Sequence, residues 1–233
     1  MKLKANLHFH AKEDPQDFVG HTVREGVDHA ANLGFSVLAV TLHETFYNIP
    51  EIIEYAASRG ILLILGAEIA IRKKHIVVLN CDKDVEKIRT FSDLENYKNS
   101  RPEIFILAPH PYFFSPESLM GNLDENIHLF DGIEYSWFYS KFFNQNKKAE
   151  ITAKKHNLPI IATSDTHFLD FFDQSYVVLD AEEKTAKGVL KSLRQKKFEN
   201  ISYPRDFMRD MVWKLGKFRA RDTILKLKRK FWL

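Results

Sequence analysis

Eight short apolar runs recur along the first 180 residues of this 233-residue chain, and segments of helical periodicity lie between them. The runs cover residues 3–9 (LKANLHF), 35–41 (FSVLAVT), 61–69 (ILLILGAEI), 75–80 (HIVVLN), 104–109 (IFILAP), 131–136 (DGIEYS), 158–164 (LPIIATS) and 175–180 (SYVVLD). They are rich in Ile, Val and Leu and mostly continuous rather than alternating, as strands buried on both faces are. Helical segments at 21–34, 49–60, 147–157 and 183–195 separate several of them. Two end on Gly34 and Gly60 and one opens with Pro50, the places where C-terminal glycines and first-turn prolines sit. Strands alternating with helices pair in parallel. So many units in a chain of this size predict an α/β fold whose sheet is closed, or nearly closed, into a barrel.

The polar residues fall at one end of that barrel. Catalytic groups of parallel α/β barrels gather at the C-terminal ends of strands. There the first run gives His8 and His10, the second His43, the third Glu68, the fifth His110, the sixth Glu134 and the seventh Asp165 and His167. His75 begins its run instead of ending it. Only six residues separate it from Glu68, too few for a helical crossover, so the connection is a hairpin and His75 faces the same mouth. Side chains alternate along a strand, which places His8 and His10 on one face roughly 7 Å apart. Asp165 and His167 repeat that spacing. Such His-x-His and Asp-x-His pairs suit chelation of Zn, Mn or Fe. A lone strand-end histidine is commonly structural, but a carboxylate such as Glu68 inside an apolar run is costly to bury unpaired. His21, His29, His128 and His156 fall in helical or loop patterns and are read as structural.

Composition sets the outer limits. With 45% hydrophobic and 28% charged residues, disorder is excluded. A single cysteine, Cys81, excludes an intramolecular disulfide and a CxxC metal site. The most apolar stretch, residues 60–71, is too short to span a bilayer and contains Glu68, so no integral membrane segment is expected. The N-terminal MKLKANLHFHAKED lacks an apolar run of signal-peptide length, and the reading is a cytoplasmic protein. Charge is uneven. Residues 204–233 hold ten Lys and Arg against three Asp, a net of +7 in a chain of +3, which leaves residues 1–203 at −4. This divides the chain into a barrel domain over 1–200 and a basic, aromatic C-terminal extension over 201–233 ending KLKRKFWL. Such a tail suits nucleic acid or an anionic membrane surface, or a helix packed on the barrel with a solvated basic face.

The motifs LHFH, VTLHE, GAEI, HIVVL, APHP, GIEYS and SDTH, in this order, resemble those of the PHP (polymerase and histidinol phosphatase) superfamily of metal-dependent phosphoesterases. The resemblance runs from about Leu3 to His167 and implies a distorted (β/α)7 barrel with two or three divalent metal ions. By it, His8, His10, Glu68 and Asp165 would bind one metal, with Glu68 bridging to a second held by His75 and His110. His43 and His167 would join an early acidic residue at a third site. Glu13, Asp14 and Asp17 compete for that place, and Asp14 is the choice. The sequence departs from the family's pattern at Leu42, which stands where an Asp often precedes the second-strand histidine.

The chemistry so implied is hydrolysis of a phosphoester through a metal-bridging hydroxide, with His43, Asp165 and His167 as the catalytic set and either histidine available to protonate the leaving group. The absence of G-x-S-x-G or Cys-based motifs agrees. Arg72, Lys73 and Lys74 lie in the hairpin turn, where they meet a second phosphate or merely solvent. Tyr112, Phe113, Trp137 and Tyr139 lie on mouth-side loops, where they stack a base or sugar or pack the loops. The substrate expected is a phosphorylated small molecule or nucleotide. The alternatives are an exonuclease processing a nucleic-acid end, which salt-sensitive oligonucleotide binding would favour, and a non-catalytic binding module, which would tolerate loss of Glu68.

Overall fold

The computed structural model describes residues 1–206 together with Asp210, Val212 and Gly216. The basic extension expected beyond the barrel therefore lies almost wholly outside the described residues. Nine strands form one sheet: β1 (Lys2–Phe9), β2 (Val37–Val40), β3 (Leu62–Ile71), β4 (Lys74–Leu79), β5 (Phe105–Ala108), β6 (Gly132–Ser136), β7 (Ile160–Thr163), β8 (Ser175–Asp180) and β9 (Phe198–Ser202). Their spatial order is β7-β6-β5-β4-β3-β2-β1-β8-β9. Neighbours pair in parallel from β1 to β3 and from β5 to β7. Strand β4 runs against both of its neighbours and β8 against β1 and β9, and these reversals distort the barrel. The β3–β4 hairpin turns through Arg72 and Lys73, both in the left-handed region (φ 51° and 67°), so His75 returns to the mouth as its position requires.

Curling of the sheet brings its two ends together at two levels. At the mouth, the segment after β7 bridges to the end of β1: His10 N donates to Thr166 O and Thr166 N to His8 O, both at 3.1 Å. Lower down, the Asn200 amide of β9 accepts from Ala162 N (2.7 Å) and donates to Ile160 O (2.9 Å), satisfying backbone groups that an edge strand leaves open. One buried cluster draws Leu7, Ala39, Ile64, Leu79, Leu107, Ile161 and Leu179 from seven different strands, which only a sheet wrapped around them allows. Helix α6 (Ala186–Arg194) joins that cluster through Val189, Leu190 and Leu193. It follows β8 beside the N-terminal end of β1, so it closes the barrel floor and leaves the other end to the polar residues.

Helices α1 (Val23–Asn32), α2 (Pro50–Ser58), α5 (Asn146–Lys155) and α6 (Ala186–Arg194) occupy the four expected segments. Helix α1 is held by a Thr22–Glu25 capping box. Two further helices, α3 (Phe91–Ser100) and the short α4 (Gly121–Glu125), and strand β9 were not expected. Because β9 runs to Ser202, the sheet continues past residue 200, where the sequence reading ended the barrel. Among the described residues no helix is long and apolar enough to cross a membrane.

Candidate metal centre

The site is organised around Glu68, which β3 carries nearly fully buried into the mouth. Its two carboxylate oxygens face different histidines. Oε2 lies 3.4, 3.2 and 3.1 Å from the Nε2 atoms of His8, His10 and His43. Oε1 lies 3.1 Å from His75 Nδ1 and 3.5 Å from His110 Nε2. Asp165 Oδ1 closes the first group at 3.5 Å from both His8 Nε2 and His10 Nε2. His167 stacks on His10 with ring centres 4.4 Å apart and places Nδ1 3.4 Å from Asp165 Oδ1.

A second layer of carboxylates sets the imidazole tautomers. His8 Nδ1 donates to Glu134 Oε2, and His10 Nδ1 and His43 Nδ1 both donate to Asp14 Oδ2, each at 2.9 Å. An ionised carboxylate only accepts, so these Nδ1 atoms carry the protons and the Nε2 atoms turn inward. His8 Nε2 and His10 Nε2 then stand 3.1 Å apart. Two ring nitrogens so close, with carboxylate oxygens beside them, share a proton in the absence of metal and suit two ligands of one cation in its presence. Glu68 Oε1 and Asp165 Oδ1, both buried, accept no hydrogen bond, which leaves them available as ligands. Among the described residues, three sets have ligand atoms within 4.8 Å of one another: His8, His10 and Asp165; His10, Asp14 and His43; and His43, Glu68 and His75. Imidazole nitrogen and carboxylate oxygen in such sets fit divalent transition ions.

The electrostatics point the same way. Burial opposes the His8 imidazolium, but Asp165, Glu68 and the bond to Glu134 hold its pKa well above the ordinary value. Against the same burial, Glu68 and Asp14 push His43 up to about 10. Glu68 is held well below the usual carboxylate range, despite its burial, by His75, His8 and His43. His8 and His167 do the same for Asp165. His10 alone among these is lowered, by burial and by His167 and His43. The pocket keeps its carboxylates ionised and draws positive charge between them. Two of its residues also hold uncommon backbone conformations, His110 (φ 28°) and Asp165 (φ 42°). Such positions cost about 1–3 kcal/mol each and cluster at functional sites.

The comparisons with known proteins bear on this geometry. No curated protein matches the chain by sequence. A family model described as PHP-associated matches residues 143–198. Among solved structures, a two-domain protein of Bacteroides vulgatus containing a predicted PHP-like metal-dependent phosphoesterase superposes with a TM-score of 0.66 at 19% identity, over 87% of this chain and 65% of that one. The two share the same barrel fold. PsfC of Pseudomonas syringae superposes at 0.64 with 13% identity, over 97% of this chain and 98% of its own. The lesion-specific endonuclease PfuEndoQ of Pyrococcus furiosus superposes at 0.63 with 14% identity, over 84% and 56%. The chain thus spans less than two thirds of the first and third of these structures.

Within this barrel, all nine residues expected as ligands lie in the mouth. The three competing acids have separated by task. Glu13 accepts from Val23 N at the start of α1 (3.1 and 3.2 Å). Asp14 bonds His10 and both the ring and backbone nitrogens of His43. Asp17 Oδ2 lies 3.0 Å from His167 Nε2. Arg72 and Lys73 are exposed on the hairpin turn. The expectation that Tyr112 and Trp137 offer rings to a substrate is corrected. Tyr112 is buried with its hydroxyl 2.7 Å from Thr152 Oγ1, and Trp137 is buried and stacked on Phe171 with centres 4.9 Å apart. Tyr139 is buried as well. His21 is structural: its Nε2 donates to His10 O at 3.0 Å, and burial lowers its pKa to about 4.

Sequence reasoning placed Glu134 at the mouth without giving it a task, and it missed Asn6 altogether. The Asn6 amide donates to Ser164 Oγ (2.7 Å) and Thr166 Oγ1 (3.1 Å), and its carbonyl accepts from His8 N (3.2 Å). That buried network ties β1 to the strand-end loop carrying Asp165. A polar residue in the middle of an apolar strand was the available signal. Removing a carboxylate behind a metal-binding histidine typically lowers metal affinity 10–100-fold. Glu134→Ala is therefore expected to weaken metal binding by about that factor while the far-UV circular dichroism stays unchanged. Wild-type affinity in a competitive chelator titration would remove Glu134 from the site.

Proposed function

We propose that this chain is a metal-dependent phosphoesterase binding two or three divalent ions. The observation that carries the reading is the division of Glu68, one oxygen toward His8, His10 and His43 and the other toward His75 and His110. A carboxylate presented this way suits two neighbouring ions. His8, His10 and Asp165 would hold one with Glu68, and His75 and His110 would complete the second. His43, His167 and an acid, Asp14 or Asp17, would form a third. Such ions supply Lewis acidity toward phosphoryl oxygens and acidify bound water.

The chain's own residues do the rest. Glu134 and Asp14 lock the imidazole orientations before substrate arrives. The solvent-facing edge of the site is formed by Asp165, His167, His75 and His110, whose side chains are 20, 16, 15 and 13% exposed against 7% or less for His8, His10 and His43. A phosphoester approaches from that edge. With the third site empty, either His167 or His43 would be free to protonate a leaving oxygen, and His167, its side chain 16% exposed against 7% for His43, is the better placed. Arg72 and Lys73 remain candidates for a second phosphate.

The substrate class is a phosphoester of a small metabolite or nucleotide. Processing of a nucleic-acid end is the second reading, favoured by the likeness to a lesion-specific endonuclease. The test is metal content by inductively coupled plasma mass spectrometry on protein purified without a metal-affinity tag, followed by a phosphoester screen with the metals found. Two or three equivalents of Zn, Mn or Fe with turnover are expected. No metal after reconstitution would overturn the enzyme reading in favour of a binding module.

A further inference from the structure

The loops that follow β5 and β6 carry five phenylalanines on the mouth side of the barrel: Phe113, Phe114, Phe138, Phe142 and Phe143. Phe142 is 96% exposed and Phe114 73%, an unusual placement for large apolar rings. The others are half-buried and paired. Phe113 meets Phe138 edge-on with centres 4.8 Å apart, and Phe114 lies 5.9 Å from Phe143. Beneath them Trp137 contacts Phe138 at 5.4 Å and stacks on Phe171, so the rings rest on a fixed base. The second loop is ordered by Ser140, which donates its backbone N–H to Phe143 O (2.8 Å) and accepts at Oγ from Phe143 N (3.1 Å).

This shelf is continuous with the metal centre. Phe113 N donates to His110 O at 3.1 Å. A narrow crevice is lined jointly by His110, Phe113, Phe138 and Gln145. Gln145 Oε1 is buried there without a hydrogen-bond partner. The second loop is basic, with Lys141, Lys147 and Lys148 and no acidic residue across 137–149, while the first carries Glu117. Exposed flat rings interleaved with lysines, beside a centre suited to phosphoesters, match a ligand that is aromatic at one end and anionic at the other. The rings adjoin His110 of the metal centre, which favours a phosphoester ligand over a lipid surface.

We infer that these phenylalanines form a stacking platform for a nucleobase, which makes the substrate a nucleotide or the terminal nucleotide of a strand. This rests on the phosphoesterase reading of the metal centre. The test uses the full, metal-loaded chain and calorimetric titration with two ligands of equal charge: a phosphorothioate hexathymidylate and the same backbone bearing abasic deoxyribose. Equal phosphate numbers cancel the contribution of the basic tail. One stacked base gives roughly a fivefold or greater gain in affinity, so the thymidylate is expected to bind at least that much more tightly. Phe114→Ala/Phe142→Ala, at exposed positions, should abolish the preference and raise KM for thymidine 5′-phosphate while leaving kcat and the melting temperature in place. Thymidine 5′-phosphate and the hexamer separate a free nucleotide from a strand, and base dependence in either supports the platform. Equal affinity for both hexamers together with an unchanged KM for thymidine 5′-phosphate in the double variant, with phosphoester turnover intact, overturns the platform alone. Base-dependent binding without turnover of any phosphoester overturns the reading beneath it and leaves the platform standing. Loss of binding to phosphatidylserine vesicles in the double variant, with no change toward thymidylate, would make the shelf a membrane contact and overturn the proposal.

Discussion

Glu68→Gln is expected to lose metal and turnover together. The substitution keeps the side chain's shape but removes the negative charge on which His8, His10, His43, His75 and His110 converge. An amide also presents one oxygen rather than two, so one of the two groups of imidazoles must face an NH2 that cannot act as a ligand. Each 1.36 kcal/mol of lost transition-state stabilisation is tenfold in rate, and a metal ion supplies several kcal/mol. A fall in kcat/KM of about 10³-fold or more follows, with at least one equivalent of metal missing from the purified variant. Burial adds a second effect. Unpaired imidazoles left in a dry pocket shed their protons, so the variant should fold without the alkaline sensitivity described below. Full metal content and undiminished turnover in Glu68→Gln would refute the assignment of the whole site.

The parts of this site that were legible in the sequence share one property: their burial is costly unless they act together. Glu68 stood out because a carboxylate inside an apolar run needs compensation. His75 could be placed because a six-residue link admits a hairpin and no crossover. The choice among Glu13, Asp14 and Asp17 was not legible, since the path of the loop before α1 decides it. That loop turns one acid toward a helix start, one under two imidazoles and one toward His167. Strand β9 was missed because FENIS is polar and sits at the sheet edge, held by pairing with β8 and by Asn200 rather than by an apolar face. Helix α3 lacks a clear apolar stripe, yet its Thr90–Asp93 capping box was present to be read. Aromatic identity misled where it mattered for substrate. Tyr112 carries a hydroxyl that finds Thr152 when buried and Trp137 stacks on Phe171, so the loops turn both inward while Phe114 and Phe142 stay in solvent.

Removing the metal should reverse the sign of the protein's pH dependence. In the metal-free chain the raised imidazoles, His43 at about 10 with His8 and His167 also above their ordinary values, favour folding when protonated. A group whose pKa is raised on folding contributes fully below its unfolded value, near 6.5, and loses that contribution as pH climbs through the folded value. The depressed carboxylates Glu68, Asp165 and Asp14 act at the other end: their contribution is present above about pH 4 and is lost as pH falls. Chelated protein should therefore be most stable between roughly pH 5 and 6.5 and should lose stability steadily from there toward pH 10. Metal-loaded protein behaves oppositely over the same window, because ion binding requires neutral imidazoles and competes with protons, so affinity rises with pH. Bound ligand stabilises in proportion to the logarithm of its concentration over Kd. The gap in melting temperature between loaded and chelated samples should widen from pH 6 to pH 9. Parallel profiles across that range would mean that protons and metal do not share a site, and the six histidines would have to be read as structure alone.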